Sequence, residues 1–168
     1  DRMQTAVPDI YAAGDVAEAP DLLTGAHLVA AIQPNAADQA RVAALNMAGG
    51  DARLSGVLAI NVLDTLGLIS TSFGQWWGEK KENGGAGVEV ADEANYRYLS
   101  LQFKGDVMIG ATSIGLTDHV GVLRGLTFGR VGLGEWKEKL LADPTRIMEA
   151  YLARAQGGET RYLGTRPI

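Results

Sequence analysis

The chain has 168 residues, of which 46% are hydrophobic and 21% charged, and its net charge is −5. These values are typical of globular proteins with one domain or two small ones, and they argue against disorder. The negative charge also argues against nucleic acid as a partner, because phosphate binding needs clustered Lys and Arg, and no run approaches the roughly 18 apolar residues of a membrane helix.

Cysteine is absent from the sequence. Disulfides, thiolate metal sites and a Cys nucleophile are therefore excluded within these residues, which fits a reducing cytoplasm. The first residues read DRMQTAVPDI, without an initiator Met, a basic region or an apolar leader. This start is typical of a segment of a longer protein rather than of a signal peptide.

The first 50 residues predict a strand, a loop and a helix. The apolar run at residues 10–13, followed by Gly14 and Asp15, predicts a buried strand that ends at a sharp turn. Residues 18–25 contain Pro and Gly and predict a loop. Residues 35–47 predict a helix, which begins at Pro34 or Asn35 and ends at two glycines. Five residues at helical spacing predict a small-residue face packed on a sheet, namely Ala36, Ala40, Ala43, Ala44 and Met47.

From residue 51 the composition favours strands, then helices. Strands are predicted in GVLAINVLD, GLISTSFGQWW, GVEVAD, NYRYLSLQFK and DVMIGATSI. The polar, Gly-rich KKENGGAG predicts a hairpin tip, and Lys104-Gly105-Asp106 predicts a tight hairpin turn. Helices are predicted over residues 119–128, with Thr117 or Asp118 as cap, and over 135–142 and 144–155, the last capped by Asp143. The order indicates an α+β fold with an antiparallel sheet.

The motif that carries the most chemical information is TAVPDIYAAGD. Its apolar run leads to Gly14, which lets the main chain approach a ligand closely, and to Asp15, whose carboxylate can accept hydrogen bonds from ligand hydroxyls. At the carboxyl edge of an open α/β sheet, such a pair would lie where ligands bind. A Gly-Asp pair alone would instead indicate an ordinary turn.

This motif resembles the second FAD fingerprint of the pyridine nucleotide-disulfide oxidoreductases, through Thr5, residues 10–13, Gly14 and Asp15. The resemblance implies that Asp15 binds a ribityl hydroxyl of FAD. The segment IQPNAADQARVAALNMAGG is similar to the helix whose N-terminus faces the flavin pyrimidine ring in that family. Ile32, Gln33 and Pro34 would lie nearest the flavin, where a positive helix end stabilises reduced flavin.

The later residues resemble the C-terminal interface domain of the NADH oxidase, rubredoxin reductase and nitrite reductase-like branch, through GVLAINVLDTLGLISTSFG and GDVMIGATSIG. The resemblance implies that residues 1–50 are the remnant of an FAD-binding domain and that residues 51–168 form an α+β interface domain. It also implies a homodimer through the second domain.

A glycine fingerprint for a dinucleotide pyrophosphate does not occur in the sequence. The nearest matches, at residues 84–87 and 110–117, are interpreted as turns. The FAD- and NAD-binding halves are therefore expected upstream. We expect this segment alone to be inactive and to retain FAD poorly.

Four further side chains are candidates for function. His119 lacks the following Pro found in glutathione-reductase-type enzymes and is interpreted as part of a helix start, whereas His27 precedes the flavin-facing segment. Trp76 and Trp77 indicate either a cap on the domain core or a contact with a subunit or an electron-acceptor protein. The basic tail at residues 154–166 is interpreted as a loosely packed end.

The sequence thus predicts the C-terminal part of an oxidoreductase that passes a hydride from NAD(P)H to FAD, and electrons on to an acceptor. The alternative is a stand-alone, non-catalytic interaction domain with a degenerate FAD-site edge.

Overall fold

The computed structural model describes residues 1–154, which divide into two units at residues 1–59 and 60–154. Residues 51–59 thus cluster with the first unit. The assignment of 1–50 and 51–168 to an FAD-binding remnant and an interface domain stays a prediction. The predicted tail, beyond its first residue Arg154, lies outside the described residues.

The first unit contains one long helix and short extended pieces. A 3-10 turn covers Gly14–Val16, β1 and β2 form a small antiparallel pair at Ala19–Pro20 and His27–Leu28, and α1 spans Gln33–Met47. The core of this unit consists of apolar side chains from α1 and from the segments before and after it in the sequence. Its buried members are Met3, Ala17, Ala19, Val42, Ala43, Leu54 and Val57.

The bounds of α1 follow from its terminal residues. Ile32 is the N-cap in extended conformation, and Pro34 occupies the first turn, where its missing N–H leaves no gap in the helix. At the other end Gly49 has a φ of +86°, so the chain leaves the helix through a left-handed residue. The helix predicted over residues 35–47 is confirmed and begins two residues earlier.

Two details of the first unit differ from expectation. Met47 on the predicted small-residue face is 63% exposed, and the buried face of α1 instead carries Asn35, Gln39, Val42, Ala43 and Asn46. Residues 10–13 form no continuous strand, since Ile10 is 52% exposed and only Tyr11 bridges, to Gln4. A buried strand needs hydrogen-bond partners along its whole length. Within residues 1–154, the bridge between Tyr11 and Gln4 is the only strand pairing of residues 10–13.

The second unit is an antiparallel sheet with helices. Its strands are β3 at Ile60–Thr65, β4 at Leu68–Gly74, β5 at Gly85–Asp92, β6 at Arg97–Lys104 and β7 at Val107–Ile114, in the spatial order β3-β4-β7-β6-β5. The helices are α2 at Val120–Gly129, α3 at Glu135–Ala142 and α4 at Ile147–Arg154, the last preceded by a 3-10 turn at Pro144–Arg146. The predicted α+β class is confirmed.

The helices cover one face of the sheet. Alternation along β6 directs Leu99, Leu101 and Phe103 to that face, and all three are buried. The α2 helix packs against β4 and β7, while α3 packs against β5. Burial of large apolar side chains, at roughly 25 cal/mol per Å², is the main stabilising contribution to this unit.

Of the turn predictions for the second unit, two are confirmed, while the hairpin tip predicted in KKENGGAG is wrong, because the strands on its two sides, β4 and β5, are not paired with each other. Gly105 has a φ of +57° in the predicted β6–β7 hairpin, and Asp143 accepts a hydrogen bond from the Thr145 backbone as the predicted cap. The cap of α2 was predicted wrongly, because the N-cap is His119, without a side-chain capping bond. The segments at 84–87 and 110–117 are not simply turns, since β5 begins at Gly85 and β7 runs to Ile114.

Between β4 and β5, residues 75–80 lie against β6 and β7, and we call them the crossing segment. The Gln75 backbone donates to the carbonyl of Ile109 at 2.8 Å. A Cβ at Gly110 would collide with the Gln75 carbonyl, and a Cβ at Gly78 or Gly87 would collide with the Gln102 side chain. Glycine at these positions lets the crossing segment lie flat on β7 and β6.

Candidate functional site

The predicted site begins at the turn formed by Gly14 and Asp15. Gly14 has a φ of +80°, a conformation that glycine adopts without strain. Its backbone N–H donates to Oε1 of Gln39 at 2.6 Å, and a Cβ built on it would lie 3.5 Å from Cβ of Ala36. The turn is therefore held against the N-terminal half of α1.

Asp15 projects from this turn into solvent. Within residues 1–154 its carboxylate has no hydrogen-bond or ion-pair partner, so both oxygens can accept bonds from a ligand. The turn thus presents a carboxylate that accepts no hydrogen bond from the described residues.

The other predicted site residues form the start of α1. The carbonyl of Ile32 accepts the first helical bond, from the backbone of Ala36 at 3.1 Å, while Gln33 is exposed and Pro34 is half-buried. The first N–H groups of any helix point away from its body and carry a partial positive charge. This end of α1 therefore favours negative charge.

The structure brings these two parts of the site close together. Ala36, in contact range of Gly14, is one helical turn from the cap Ile32. The Gly14–Asp15 turn and the residues at 32–34 thus belong to the same end of α1. The carboxylate of Asp15, which has no partner within residues 1–154, can accept hydrogen bonds from hydroxyls. The positive helix end can stabilise developing negative charge.

Three buried amides on α1, which we call the amide row, were missed by sequence reasoning. They are Asn35, Gln39 and Asn46, each at most 6% exposed. Asn35 donates to the carbonyl of Leu58 at 2.9 Å, and Asn46 donates to those of Arg2 and Ala52, both at 2.9 Å.

The amide row could have been found from its spacing. Residues 35, 39, 42 and 46 recur at the i, i+4, i+7, i+11 interval of one helix face. Polar side chains on such a face are normally interpreted as solvent-exposed. Here each one satisfies a backbone group of an irregular segment, because a buried polar group must find a partner.

The two histidines lie in different environments. His27 is exposed in β2, whose partner across the pair is Pro20. His119 is exposed at the start of α2 with a φ of +64°, which agrees with its interpretation as part of a helix start.

The tryptophan pair lies on the crossing segment. The rings of Trp76 and Trp77 meet edge to face with centroids 5.0 Å apart, and Trp77 is 65% exposed while Trp76 is half-buried. Trp77 is therefore available for contact with another molecule.

The strongest electrostatic perturbation lies beside this pair. The side chain of Asn83, the backbone N–H of Lys80 and the ammonium of Lys104 all donate to Glu79, and they lower its carboxyl pKa to about 2. Burial and a hydrogen bond to Glu89 raise the pKa of Tyr98. No cluster of three potential metal ligands occurs within the described residues 1–154.

The chain was compared with known proteins. No protein-family model matches it. Over 150 residues it is 31% identical to NADH-dependent phenylglyoxylate dehydrogenase subunit epsilon from Aromatoleum evansii, which covers 88% of this chain and 35% of that protein. The chain thus spans about a third of the length of this relative.

Solved structures share the fold. An FAD-dependent pyridine nucleotide-disulphide oxidoreductase from Desulfovibrio vulgaris matches with a TM-score of 0.65 and 20% identity, over 90% of this chain and 40% of that one. A pyridine nucleotide-disulfide family oxidoreductase from Enterococcus faecalis also shares the fold, with a TM-score of 0.62 and 18% identity, over 80% of this chain and 35% of that one. Putidaredoxin reductase, in a covalent complex with putidaredoxin, matches with a TM-score of 0.69 and 19% identity, over 92% of this chain and 35% of that one.

The expected resemblance of this chain to pyridine nucleotide-disulfide oxidoreductases is thereby confirmed. FAD is the cofactor named for the matching protein from Desulfovibrio vulgaris, and the chemistry of the residues at the site is compatible with it. The carboxylate of Asp15, for which residues 1–154 offer no partner, suits a ligand hydroxyl, and the start of α1 suits an electron-rich ring edge. In addition, no helix among residues 1–154 is long and apolar enough to cross a membrane.

Proposed function

We propose that this chain is the C-terminal part of an FAD-dependent oxidoreductase that transfers a hydride from NAD(P)H to FAD and passes electrons to an acceptor. The observation that carries the proposal is the juxtaposition of the Gly14–Asp15 turn and the start of α1, held by the bond from Gly14 to Gln39. The 31% identity to an NADH-dependent subunit supports it.

In this proposal the first unit supplies one edge of the flavin site. Asp15 accepts a hydrogen bond from a hydroxyl of the cofactor, which orients its ring system. The start of α1, at Ile32, Gln33 and Pro34, lowers the electrostatic cost of negative charge at the facing ring edge. FAD, when bound, supplies the redox chemistry, and the pyrophosphate and NAD(P)H sites belong to residues beyond this chain.

The experiment uses the full-length protein that contains this chain. We expect it to show visible flavin absorption, as purified or after addition of FAD, and to be bleached anaerobically by NADH or NADPH. The chain of 168 residues alone should retain little FAD and catalyse no NAD(P)H oxidation. Full-length protein without flavin absorption, even with FAD added, contradicts the proposal and favours the non-catalytic interaction domain.

A variant tests the role of Asp15. We expect Asp15→Ala to weaken FAD binding about tenfold, since a hydrogen bond to a charged group contributes roughly 1.5 kcal/mol. The matched control is Asp38→Ala, which removes an exposed carboxylate from α1. Equal effects of the two substitutions would assign the loss to charge alone and contradict a specific contact by Asp15.

We propose further that the second unit mediates homodimerisation. Support comes from β3, an edge strand that exposes Val62 and Leu63, 58% and 60% accessible, and from the fully exposed Leu66 in the following turn. Exposed apolar edges of this kind favour association. Size-exclusion chromatography with light scattering should give a dimer at micromolar concentration, and a clean monomer would contradict this part of the proposal.

The acceptor is proposed to be a small redox protein in the cytoplasm that contacts Trp77. The exposed ring supports this, together with the solved putidaredoxin reductase complex that shares the fold. In the full-length enzyme Trp77→Ala should slow reduction of a small iron–sulfur protein and leave reduction of ferricyanide unchanged. If Trp77→Ala changed the rates with the two acceptors by the same factor, or changed neither, Trp77 would not be part of the docking surface.

A further inference from the structure

We propose that Gln39 is the positioning residue of the flavin site: its buried side-chain oxygen fixes the Gly14–Asp15 turn in the conformation that binds FAD. The inference rests on the proposed function and extends it to a residue outside the fingerprint. Gln39 touches the turn and acts on the cofactor through it.

The geometry of Gln39 supports this role. Its side chain is 1% exposed, and its Oε1 accepts the Gly14 N–H at 2.6 Å. Within the described residues, the backbone nitrogen of Gly14 donates its hydrogen bond to Gln39, which is 25 residues further along the chain. The turn itself closes by one further bond, from the Ala17 backbone to the Gly14 carbonyl at 3.0 Å. The position of the turn relative to α1 therefore depends on Gln39.

The conformation of Gly14 makes this anchor necessary. Gly14 has a φ of +80°, and as a glycine it can adopt many backbone conformations. Without an anchor, the turn would therefore lose much conformational entropy when a ligand orders it. A ligand that binds a pre-ordered turn does not bear that cost. Loss of the anchor should thus weaken FAD binding even where the rest of the fold is intact.

The rest of the amide row provides the comparison. Asn46 lies on the same buried face of α1, and it anchors the backbone of Arg2 and Ala52, away from the Gly14–Asp15 turn. It has the same chemistry and a similar burial, 6% against 1%. A purely structural role would make the two residues equivalent for cofactor binding.

The test compares Gln39→Leu, Asn46→Leu and Gln39→Glu in the full-length protein. Each apolar variant removes one buried amide, whereas Glu retains an oxygen acceptor in either protonation state. We expect Gln39→Leu to raise the Kd for FAD about tenfold or more, Asn46→Leu to leave it within about twofold, and Gln39→Glu to restore binding close to wild type. Thermal unfolding should show a loss for Asn46→Leu at least as large as that for Gln39→Leu, because Asn46 bonds the Arg2 carbonyl and both backbone groups of Ala52. A general loss of stability would therefore not explain weaker FAD binding in Gln39→Leu alone.

A second readout does not depend on FAD. Hydrogen exchange of the apo protein should become faster at the Gly14 amide in Gln39→Leu and stay slow in Asn46→Leu and Gln39→Glu, because only the first variant removes its acceptor. If Gln39→Leu fails to fold, the Gln39→Met variant replaces it in both measurements.

The outcomes separate the inference from the proposed function. Wild-type protein that binds no FAD contradicts the proposed function, while the exchange at Gly14 still reports the anchor. Wild-type protein that binds FAD, with equal Kd increases in Gln39→Leu and Asn46→Leu or with none in Gln39→Leu, overturns the positioning role alone.

Discussion

The Oδ1 atom of Asp106 lies 2.6 Å from the backbone nitrogen of Gly134, which donates a hydrogen bond to it. The backbone oxygen of Asp106 also accepts from the backbone nitrogen of Leu133 at 2.9 Å. A single residue of the β6–β7 hairpin thereby holds the start of α3. The β6–β7 hairpin and the start of α3 are 28 residues apart in sequence, so this hydrogen bond is a long-range contact between the sheet and the helices.

Loss of this carboxylate should destabilise the second unit. We expect Asp106→Ala to lower the free energy of unfolding by about 1 kcal/mol, because the Gly134 N–H loses its partner. Asp106→Asn keeps an oxygen acceptor and should lose less than half as much. Urea unfolding followed by circular dichroism measures both, and equal losses would show that charge rather than the hydrogen bond is responsible.

Alanine substitutions at two glycines should have opposite signs. Gly14→Ala places a Cβ on a residue with a φ of +80° and should cost about 1–2 kcal/mol. Gly125→Ala lies inside α2 with no atom within 4 Å of the new Cβ, so it should stabilise by about 0.5–1 kcal/mol. Thermal unfolding of the two variants checks the signs, and destabilisation by Gly125→Ala would be the contrary result.

The crossing segment predicts a contrast between two strand glycines. A Cβ at Gly110 would collide with backbone atoms of Gln75 and Trp76, whereas a Cβ at Gly87 would meet only the flexible end of Gln102. Gly110→Ala should therefore cost about 1–3 kcal/mol, and Gly87→Ala clearly less.

Tryptophan fluorescence provides the second measurement for these variants. Gly110→Ala displaces the backbone that carries Trp76 and Trp77, so the emission maximum should shift in the folded state. Gly87→Ala should leave the spectrum close to that of wild type. Indistinguishable spectra and stabilities would show that the crossing segment does not pack on β7 as described.

Acidification should reveal the hydrogen bonds of Glu79. Its pKa is lowered from 4.5 to about 2, so the ionised carboxylate adds stability above pH 4.5, and this contribution is lost as the pH falls towards 2. Glu79→Gln removes this titration. The stability difference between wild type and Glu79→Gln should then shrink from pH 5 to pH 2, as measured by urea unfolding, and a constant difference would exclude this cause.

The sheet of the second unit could be predicted from sequence because its signals are local. Alternating apolar residues mark β6, and Gly105 between two strand patterns marks the hairpin. The pairing of β4 with β7, and the place of β3 at the edge, depend on contacts between distant residues. Those contacts have no local signature.

The candidate site was only partly predictable. The turn at Gly14 follows from glycine conformation and the resemblance of the motif, whereas its anchor Gln39 is a polar residue in a helix and gives no local sign of burial. The apolar run at residues 10–13 indicated a buried strand, but strand formation depends on neighbours that a run of residues does not specify.

The attachments of α1 have a further property. Asn35, Gln39 and Asn46 hold their segments with neutral amides, which neither gain nor lose protons across the range in which proteins fold. A carboxylate in the same places would change its charge at acidic pH, and an imidazole would do so near neutrality. These three attachments of α1 therefore keep the same charge and the same hydrogen bonds as the pH changes, unlike the neighbouring ion pairs of Arg2 with Asp51 and of Arg53 with Asp1.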